Sequence, residues 1–286
     1  MELTRRRFAL AVAAAQQVAQ QAAAQSAALT AQQVIERIQG HLGVTWKTPT
    51  RDVFKAGSPD TPVRGIATTV MATVSILQQA VKAGRNLIIT HEPTFWSDGD
   101  STQDFADDAV YRYKTDLIAK NSLVIWRFHD HWHARKPDAT IAGLAGALGW
   151  TKADAAQPFY NVAPTTLGAM AKDLQDRLKF RAVRVLGDPA MKITTGAMNA
   201  GSTSLQPVMR ALPEVDVFVA GEPREWEGPE YVQDAVAMGQ KKAMIIIGHQ
   251  NSEDPGMRLC AEWLKTFVTE VPVEWIPTSD PFWRPV

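Results

Sequence analysis

Five of the six histidines in this 286-residue chain follow closely on short apolar runs. They form three clusters, which are His91, then His129, His131 and His133, and finally His249. Short β-branched runs predict strands, and in an open α/β sheet ligands gather outside the carboxyl ends of the strands. We therefore expect the three clusters to converge on one point.

The side chains in these clusters suit a divalent metal. Imidazole and carboxylate are good ligands for zinc, iron, manganese or nickel. Glu92 and Glu253 supply the negative charge that partly neutralises one or two cations. The sequence therefore predicts a mono- or dinuclear metal site at the strand ends. Its predicted ligands are His91, Glu92, Asp130, His131, His133, His249 and Glu253.

The direction in which the side chains of His129–His133 point depends on how far the preceding strand continues. If the strand persists, alternation places His129, His131 and His133 on one face, opposite Asp130. His129 is the candidate catalytic residue, as a proton shuttle for water that the metal activates.

Each of these signals, taken singly, has a plainer explanation. A histidine after a strand is usually a cap or a hydrogen-bonded polar residue, and a His-x-His-x-His run can be a surface metal binder. The three clusters together favour the metal site.

Composition excludes several classes of protein. The 30 basic residues balance the 30 acidic residues, which argues against a strongly basic nucleic-acid binder and against an acidic disordered tail. The single cysteine, Cys260, excludes an intrachain disulfide and a thiolate-cluster metal site. Histidines and carboxylates must then hold any metal.

Residues 1–24 have the three-part layout of an export signal. A basic region precedes an apolar run and the small residues Ala22–Ala24. Thr4–Phe8 resembles the twin-arginine signal, which directs folded proteins out of the cytoplasm. An amphipathic N-terminal helix is the alternative. We expect cleavage before Gln25 and a periplasmic or secreted protein that has no membrane segment after signal removal.

Strand-like runs alternate with helical stretches over residues 25–286, which predicts an α/β fold of layered sheets with flanking helices. No flexible linker interrupts this range, so we expect one domain with two interleaved lobes, the second formed by about 138–240. Asp254-Pro255 predicts the start of the last helix.

Three motifs resemble the Nif-three-like dinuclear metal centre family, some of whose members are labelled GTP cyclohydrolase 1 type 2 homologues. They are Leu-Ile-Ile-Thr-His-Glu-Pro ending at Pro93, the segment His129–His133, and Gly-His-Gln-Asn-Ser-Glu ending at Glu253. Glu92 replaces the family's second histidine, His133 stands where an aspartate is expected, and Met71 replaces another aspartate. The resemblance implies a dinuclear metal site and a homo-oligomer, in the form of a ring-shaped hexamer.

The function expected from these observations is that of an exported, metal-dependent hydrolase acting on an unknown small molecule. The alternatives are a metal-binding or metal-dependent partner-binding protein without turnover, and a metal-free scaffold. GTP is a poor candidate substrate, because an exported enzyme would meet little of it.

Overall fold

Two β-sheets with helices on their faces make up a mixed α/β structure, which confirms the predicted fold class. The computed structural model describes residues 28–153, 158–283 and 285. The predicted signal segment 1–24 lies outside the described residues. Within the described ranges, no helix combines the length and the apolar character needed to cross a bilayer.

Eleven strands are present in the described part of the chain. In chain order they are β1 (Phe54–Ala56), β2 (Ile66–Thr69), β3 (Leu87–Thr90), β4 (Val124–Arg127), β5 (Thr151–Lys152), β6 (Phe159–Thr166), β7 (Arg184–Leu186), β8 (Lys192–Thr203), β9 (Val217–Pro223), β10 (Ala243–Ile246) and β11 (Val273–Trp275).

The strands form two sheets that the chain visits in an interleaved order. The first sheet has the order β1-β4-β3-β2-β11, and the second has the order β5-β6-β8-β9-β10-β7. Pairing is parallel among β11, β2, β3 and β4 and among β8, β9 and β10. Because the chain completes the second sheet before it returns to add β11 to the first, the lobes are interleaved as predicted.

Nine α-helices connect or cover these strands in the described residues. They are α1 (Ala31–His41), α2 (Val74–Lys82), α3 (Ala109–Lys120), α4 (Asp130–Ala134), α5 (Ala139–Leu148), α6 (Leu167–Leu178), α7 (Leu205–Ala211), α8 (Gly228–Ala237) and α9 (His249–Leu264). Short 3-10 turns occupy Gln103–Phe105 and Leu212–Glu214.

Both faces of the first sheet are buried, which explains the continuous apolar runs of its strands. Ile89 and Trp126 belong to the apolar cluster that includes residues of α1 and α9. Their neighbours Ile88 and Ile125 belong to the opposite cluster, with residues of α2 and α3. Side-chain alternation along each strand thus fixes the sheet between two helical layers, and its carboxyl ends are held in place.

The helix α9 begins at His249, five residues before the predicted start at Asp254. The prediction was wrong because Pro255 lies inside this helix, where it removes one backbone hydrogen bond without ending the helix. Next to it, Gly256 packs against α5, where a side chain on Gly143 would overlap the Gly256 backbone. Close packing of two helices therefore accompanies the Pro-Gly pair, and the earlier start places His249 and Glu253 one turn apart on α9.

Candidate metal centre

The side chains that follow β3, β4 and β10 come together at one point. The structure joins six of the eight predicted site residues, which we call the six-residue cluster: His91, Glu92, His129, His133, His249 and Glu253. The contact between His249 Nε2 and Glu92 Oε1, at 3.2 Å, links residues 157 positions apart in the chain. Each side chain is thus placed by a strand end or by the helix that follows one.

The segment after β4 turns into the helix α4, so the expected strand alternation does not apply. The His133 N–H donates to the His129 carbonyl at 3.1 Å, which closes one helical turn. Residues four apart share a helix face. His129 and His133 therefore point into the cluster together, and His131 points away.

His131 is a structural residue that takes no part in the cluster. Its Nδ1 contacts Asp52 Oδ2 at 2.6 Å, and its Nε2 accepts the Lys47 N–H at 2.9 Å. Its ring stacks on Trp46 with centroids 3.8 Å apart. Because both ring nitrogens are occupied by protein partners, His131 offers no free donor to a metal, which corrects its assignment as a ligand.

Asp130 also lies outside the six-residue cluster. Its Oδ2 accepts from Thr50 Oγ1 at 2.9 Å and from the Arg51 N–H at 2.8 Å. Its Oδ1 contacts His129 Nδ1 at 2.9 Å. Burial alone would raise the pKa of Asp130, but these hydrogen bonds lower it well below the ordinary range. Asp130 is thus an ionised carboxylate that orients His129, and its assignment as a ligand is corrected.

In all four histidines of the six-residue cluster, Nδ1 lies within hydrogen-bonding distance of an oxygen atom. His91 Nδ1 lies 3.0 Å from the Phe128 carbonyl. In the other rings Nδ1 faces a carboxylate, and these contacts are His129–Asp130 at 2.9 Å, His133–Asp138 at 2.9 Å and His249–Glu222 at 2.8 Å. A carbonyl or an ionised carboxylate only accepts hydrogen bonds, so each Nδ1 carries the proton and donates. In a neutral ring, Nε2 is then left with its lone pair.

Three of these Nε2 atoms lie close to other atoms that can act as metal ligands. His91 Nε2 lies 3.1 Å from His133 Nε2 and 3.6 Å from Glu253 Oε1. His249 Nε2 lies 3.3 Å from Glu253 Oε2. Two groups of residues each place their donor atoms within 4.8 Å of one another, and these are His91, His129 and His133, and His91, Glu92 and Glu253.

This donor set fits a metal cation. Two neutral imidazoles cannot hydrogen-bond through facing lone pairs, yet two nitrogens on one zinc ion at 2.0–2.1 Å lie about 3.3 Å apart. Glu253 Oε2 is buried and accepts no hydrogen bond from any described residue. A buried charged oxygen without such a partner is costly. A positive charge inside the cluster would satisfy both features.

The electrostatics of the cluster's own side chains favour positive charge on two rings. Burial alone would lower the pKa of His249, but its contacts with Glu253 and Glu92 raise it to about 11. Burial likewise opposes a higher pKa in His91, yet the charge of Glu253 raises it. In return, His91 and His249 lower the pKa of Glu253 against the effect of burial. The carboxylates are therefore ionised and ready to bind a cation.

Glu92 takes part in the cluster although it replaces the histidine that the family resemblance leads us to expect. Its Oε1 lies 3.2 Å from His249 Nε2 and 3.7 Å from His129 Nε2. Its Oε2 lies 3.3 Å from the Arg127 guanidinium. Glu92 therefore brings one carboxylate oxygen to the histidines while Arg127 holds the other.

Sequence reasoning missed three residues that support the cluster. Asp138 and Glu222 fix the orientation of His133 and His249. Gly201 has a φ of 65°, and a Cβ at this position would overlap Glu253 Oε1. Local signals existed for Asp138, which precedes α5 and caps it, and for Glu222, which follows an apolar strand run and could line the pocket by the strand-end rule.

A cavity of about 920 Å³ opens beside the cluster. Glu92, His129, His133, His249 and Glu253 line it, together with apolar side chains that include Met71. This volume lies within the range of small-molecule sites. A ligand in the cavity would therefore reach the cluster directly.

Comparisons with known proteins agree with this fold. A curated GTP cyclohydrolase 1 type 2 homolog from Chlamydia pneumoniae is 23% identical over 249 residues, which cover 80% of this chain and 90% of that protein. The crystal structure of a Bacillus cereus protein related to NIF3 has a TM-score of 0.71 at 14% identity and covers 90% of this chain and 99% of its own. Staphylococcus aureus hypothetical protein SA1388 has a TM-score of 0.68 at 18% identity, with 90% and 100% covered. At these sequence identities, the two structures show that the fold is shared.

The family assignment comes from a match along most of the chain. The model of the family described as Duf34/NIF3 (NGG1p interacting factor 3) matches residues 51–281. This range begins before β1 and ends after β11, so it includes both sheets and every residue of the cluster. The chain therefore belongs to the Duf34/NIF3 family.

Proposed function

We propose that this protein is a metal-dependent hydrolase in which the cluster residues other than His129 hold one or two divalent ions. The observation that carries the proposal is the shared orientation of the four rings, in which Nδ1 is fixed by an oxygen acceptor. Metal-binding histidines almost always donate their other ring N–H to such a partner. A histidine used only for packing has no need of this arrangement at four positions.

The donor atoms favour particular roles for the ligands. His91 faces both His133 Nε2 and Glu253 Oε1, while His249 faces Glu253 Oε2. Glu253 would therefore be a ligand through either carboxylate oxygen, and Glu92 would be a further ligand beside His249. Nitrogen and carboxylate donors suit zinc, iron, manganese or nickel. The only cysteine, Cys260, is buried in the apolar cluster of the first sheet and supplies no thiolate.

Hydrolysis requires a group that can move a proton beside the ion. When bound, a divalent ion supplies a Lewis acid that polarises the substrate and lowers the pKa of water. His129 lines the cavity and has 27% of its side chain exposed. Asp130 holds Nδ1, so His129 Nε2 is the atom that would accept the proton. His129 is therefore the residue that we assign to proton transfer, as the sequence suggests.

The test uses protein purified without chelators and a metal analysis. We expect near-stoichiometric metal in the wild type and its loss in the double variant His249→Ala/Glu253→Ala. A matched double variant, His41→Ala/Glu262→Ala, removes an exposed histidine and an exposed glutamate and should keep the metal. Full metal content in the first variant would show that the proposed site is wrong.

A substrate screen then separates a hydrolase from a passive metal-binding protein. Hydrolytic activity that a chelator abolishes and metal restores would support catalysis. Stoichiometric metal without turnover across esters, amides and phosphoesters would instead support a metal-binding or metal-dependent partner-binding protein. Wild-type protein that lacks stoichiometric metal would support a metal-free scaffold.

We also propose that the protein is exported in a folded state to the periplasm or beyond. Support comes from Thr4–Phe8 and the apolar run that follows, which have the layout of a twin-arginine signal. Fusing residues 1–30 to a reporter that requires folding before export would test the proposal. We expect export that Arg5→Lys/Arg6→Lys abolishes, and unchanged export in that variant would contradict it.

We propose that the mature chain forms a homo-oligomer, namely the hexamer that the family resemblance implies. The balance of 30 basic and 30 acidic residues gives no basic excess for nucleic-acid binding, so the partner that we expect is a small molecule. Sedimentation analysis of the mature protein would measure the assembly. A monomer at micromolar concentration would contradict the hexamer.

A further inference from the structure

Part of the lining of the cavity beside the cluster is apolar, and we call this part the apolar wall. We use this name for Met71, Val74, Pro93, Trp96, Val110 and Ile141. Trp96 and Val110 have 53% and 56% of their surfaces exposed. Exposed large apolar side chains grouped beside a concave site are typical of ligand contact.

Trp96 is held in place by its surroundings. Its backbone has a φ of 58°, a left-handed conformation that is rare for a bulky residue. Phe105 meets the indole at a ring angle of 81° and a centroid distance of 5.6 Å. The Lys114 ammonium lies 5.3 Å from the same ring, and its Nζ donates to the Thr94 carbonyl. Strained backbone that persists at a cavity indicates a functional constraint on the side chain.

The charged groups around the cavity are already engaged with each other. The Arg127 guanidinium contacts Glu92 and Asp98, and Lys114 is almost fully buried. Four carboxylates also line the cavity, each in contact with a cationic or histidine side chain, and they are Glu92, Asp98, Asp138 and Glu253. Neither Arg127 nor Lys114 is therefore free to pair with an anionic substituent on a ring bound at the apolar wall. Much of the remaining lining of the cavity is apolar.

We propose that the ligand of this cavity is a small molecule with an uncharged, flat ring that stacks on Trp96 and a polar end that reaches the six-residue cluster. The proposal rests on the proposed function in one respect, which is that the polar end carries the bond that is hydrolysed at the cluster. The size of the cavity, its continuity with the cluster and its apolar wall fit such a ligand. Trp96 is then a specificity-determining residue that binds the ring.

Binding of 1-naphthol, a neutral aromatic probe, tests the ligand class without requiring turnover. Calorimetric titration of metal-loaded protein should show binding that Trp96→Ala weakens roughly tenfold, because the stacking surface is lost. Trp96→Phe should restore binding to within about threefold. The matched control is Trp226→Ala, which removes an indole that is 70% exposed and does not line the cavity. Equal weakening by both alanine variants, or by neither, would overturn the proposal.

Two esters with the same acyl group separate this inference from the proposed function. Because naphtholate is a better leaving group than ethoxide, each ester is compared between wild type and variant. We expect Trp96→Ala to lower kcat/KM for 1-naphthyl acetate about tenfold and to lower that for ethyl acetate much less. Binding of 1-naphthol through Trp96 without turnover of these esters or of any ester, amide or phosphoester in the screen would contradict the hydrolase and leave the ligand class standing. Cleavage of both esters with kcat/KM values that Trp96→Ala leaves unchanged would support the hydrolase and overturn the ligand class. Tighter binding of GTP than of 1-naphthol, or a change in sedimentation by Trp96→Ala with naphthol binding intact, would also overturn the ligand class.

Discussion

The Nε2 atoms of His91 and His133 face each other at 3.1 Å, although neither ring has a proton to place between them when neutral. The Phe128 carbonyl takes the Nδ1 proton of His91, and Asp138 takes that of His133. Only an added proton or a metal cation makes this contact favourable. The ring orientations therefore indicate a site built around positive charge.

Metal binding should strengthen as the pH rises. In the metal-free protein the pKa of His249 is raised to about 11 from 6.5, so the stability that its proton gives is complete below 6.5 and is lost as the pH rises through 11. The same deprotonation frees Nε2 for a metal. The increase in Tm caused by added zinc should therefore grow from about pH 6 to about pH 9. Scanning calorimetry of zinc-loaded and metal-free protein checks this, and an increase that shrinks with pH would contradict it.

His131 and His133 should respond in opposite ways to substitution by asparagine. His131→Asn loses the Trp46 stacking and the Lys47 hydrogen bond in a buried site, so we expect a loss of about 2–4 kcal/mol in the free energy of unfolding. His133→Asn removes a side chain that is 29% exposed and should chiefly remove metal. Urea unfolding and metal analysis of both variants measure these effects. A folded His131→Asn protein without metal would refute the distinction.

The contrast between these two histidines shows where sequence reasoning stops. The strand ends at His91, His129 and His249 could be predicted, because buried parallel strands leave continuous apolar runs. The residues after β4 could not, since nothing in His129–His133 alone shows that the strand ends at Arg127 and a helix follows. In a strand, alternate residues of His129–His133 share a face, whereas in a helix the residues that share a face are three or four positions apart.

Pairings between histidines and residues of distant elements were also beyond prediction. Glu222 meets His249 only because β9 and β10 are neighbours in the second sheet. Asp52 reaches His131 from the loop before β1, which contains no apolar periodicity. Such pairings depend on tertiary structure, whereas the strand ends depend on local pattern.

Asp138→Asn should weaken metal binding about 10–100-fold, because the carboxylate that receives the His133 Nδ1 proton becomes a neutral amide. Asparagine keeps the ability to cap α5, so the fold should be unchanged. Asp108→Asn is the matched control, since Asp108 caps α3 in the same way. Competition against a chelator measures the affinities. Equal affinity in the two variants would remove Asp138 from the account.

Gly201→Ala should displace Glu253 and reduce metal content. The added methyl group would overlap Glu253 Oε1, and the φ of 65° adds backbone strain of about 1 kcal/mol. Gly239→Ala is the control, because Gly239 has a φ of 86° and open space around it. Both variants carry the backbone strain, so a difference in metal content between them reports the contact with Glu253. Equal metal content would contradict the assigned role of Gly201.

The most direct test of the metal site is a crystal structure with anomalous scattering recorded above and below the absorption edge of the metal found in the purified protein. We expect an anomalous peak about 2.0–2.2 Å from His91 Nε2, from His133 Nε2 and from an oxygen of Glu253. A peak elsewhere, or metal-loaded crystals without a peak at these three side chains, would contradict it.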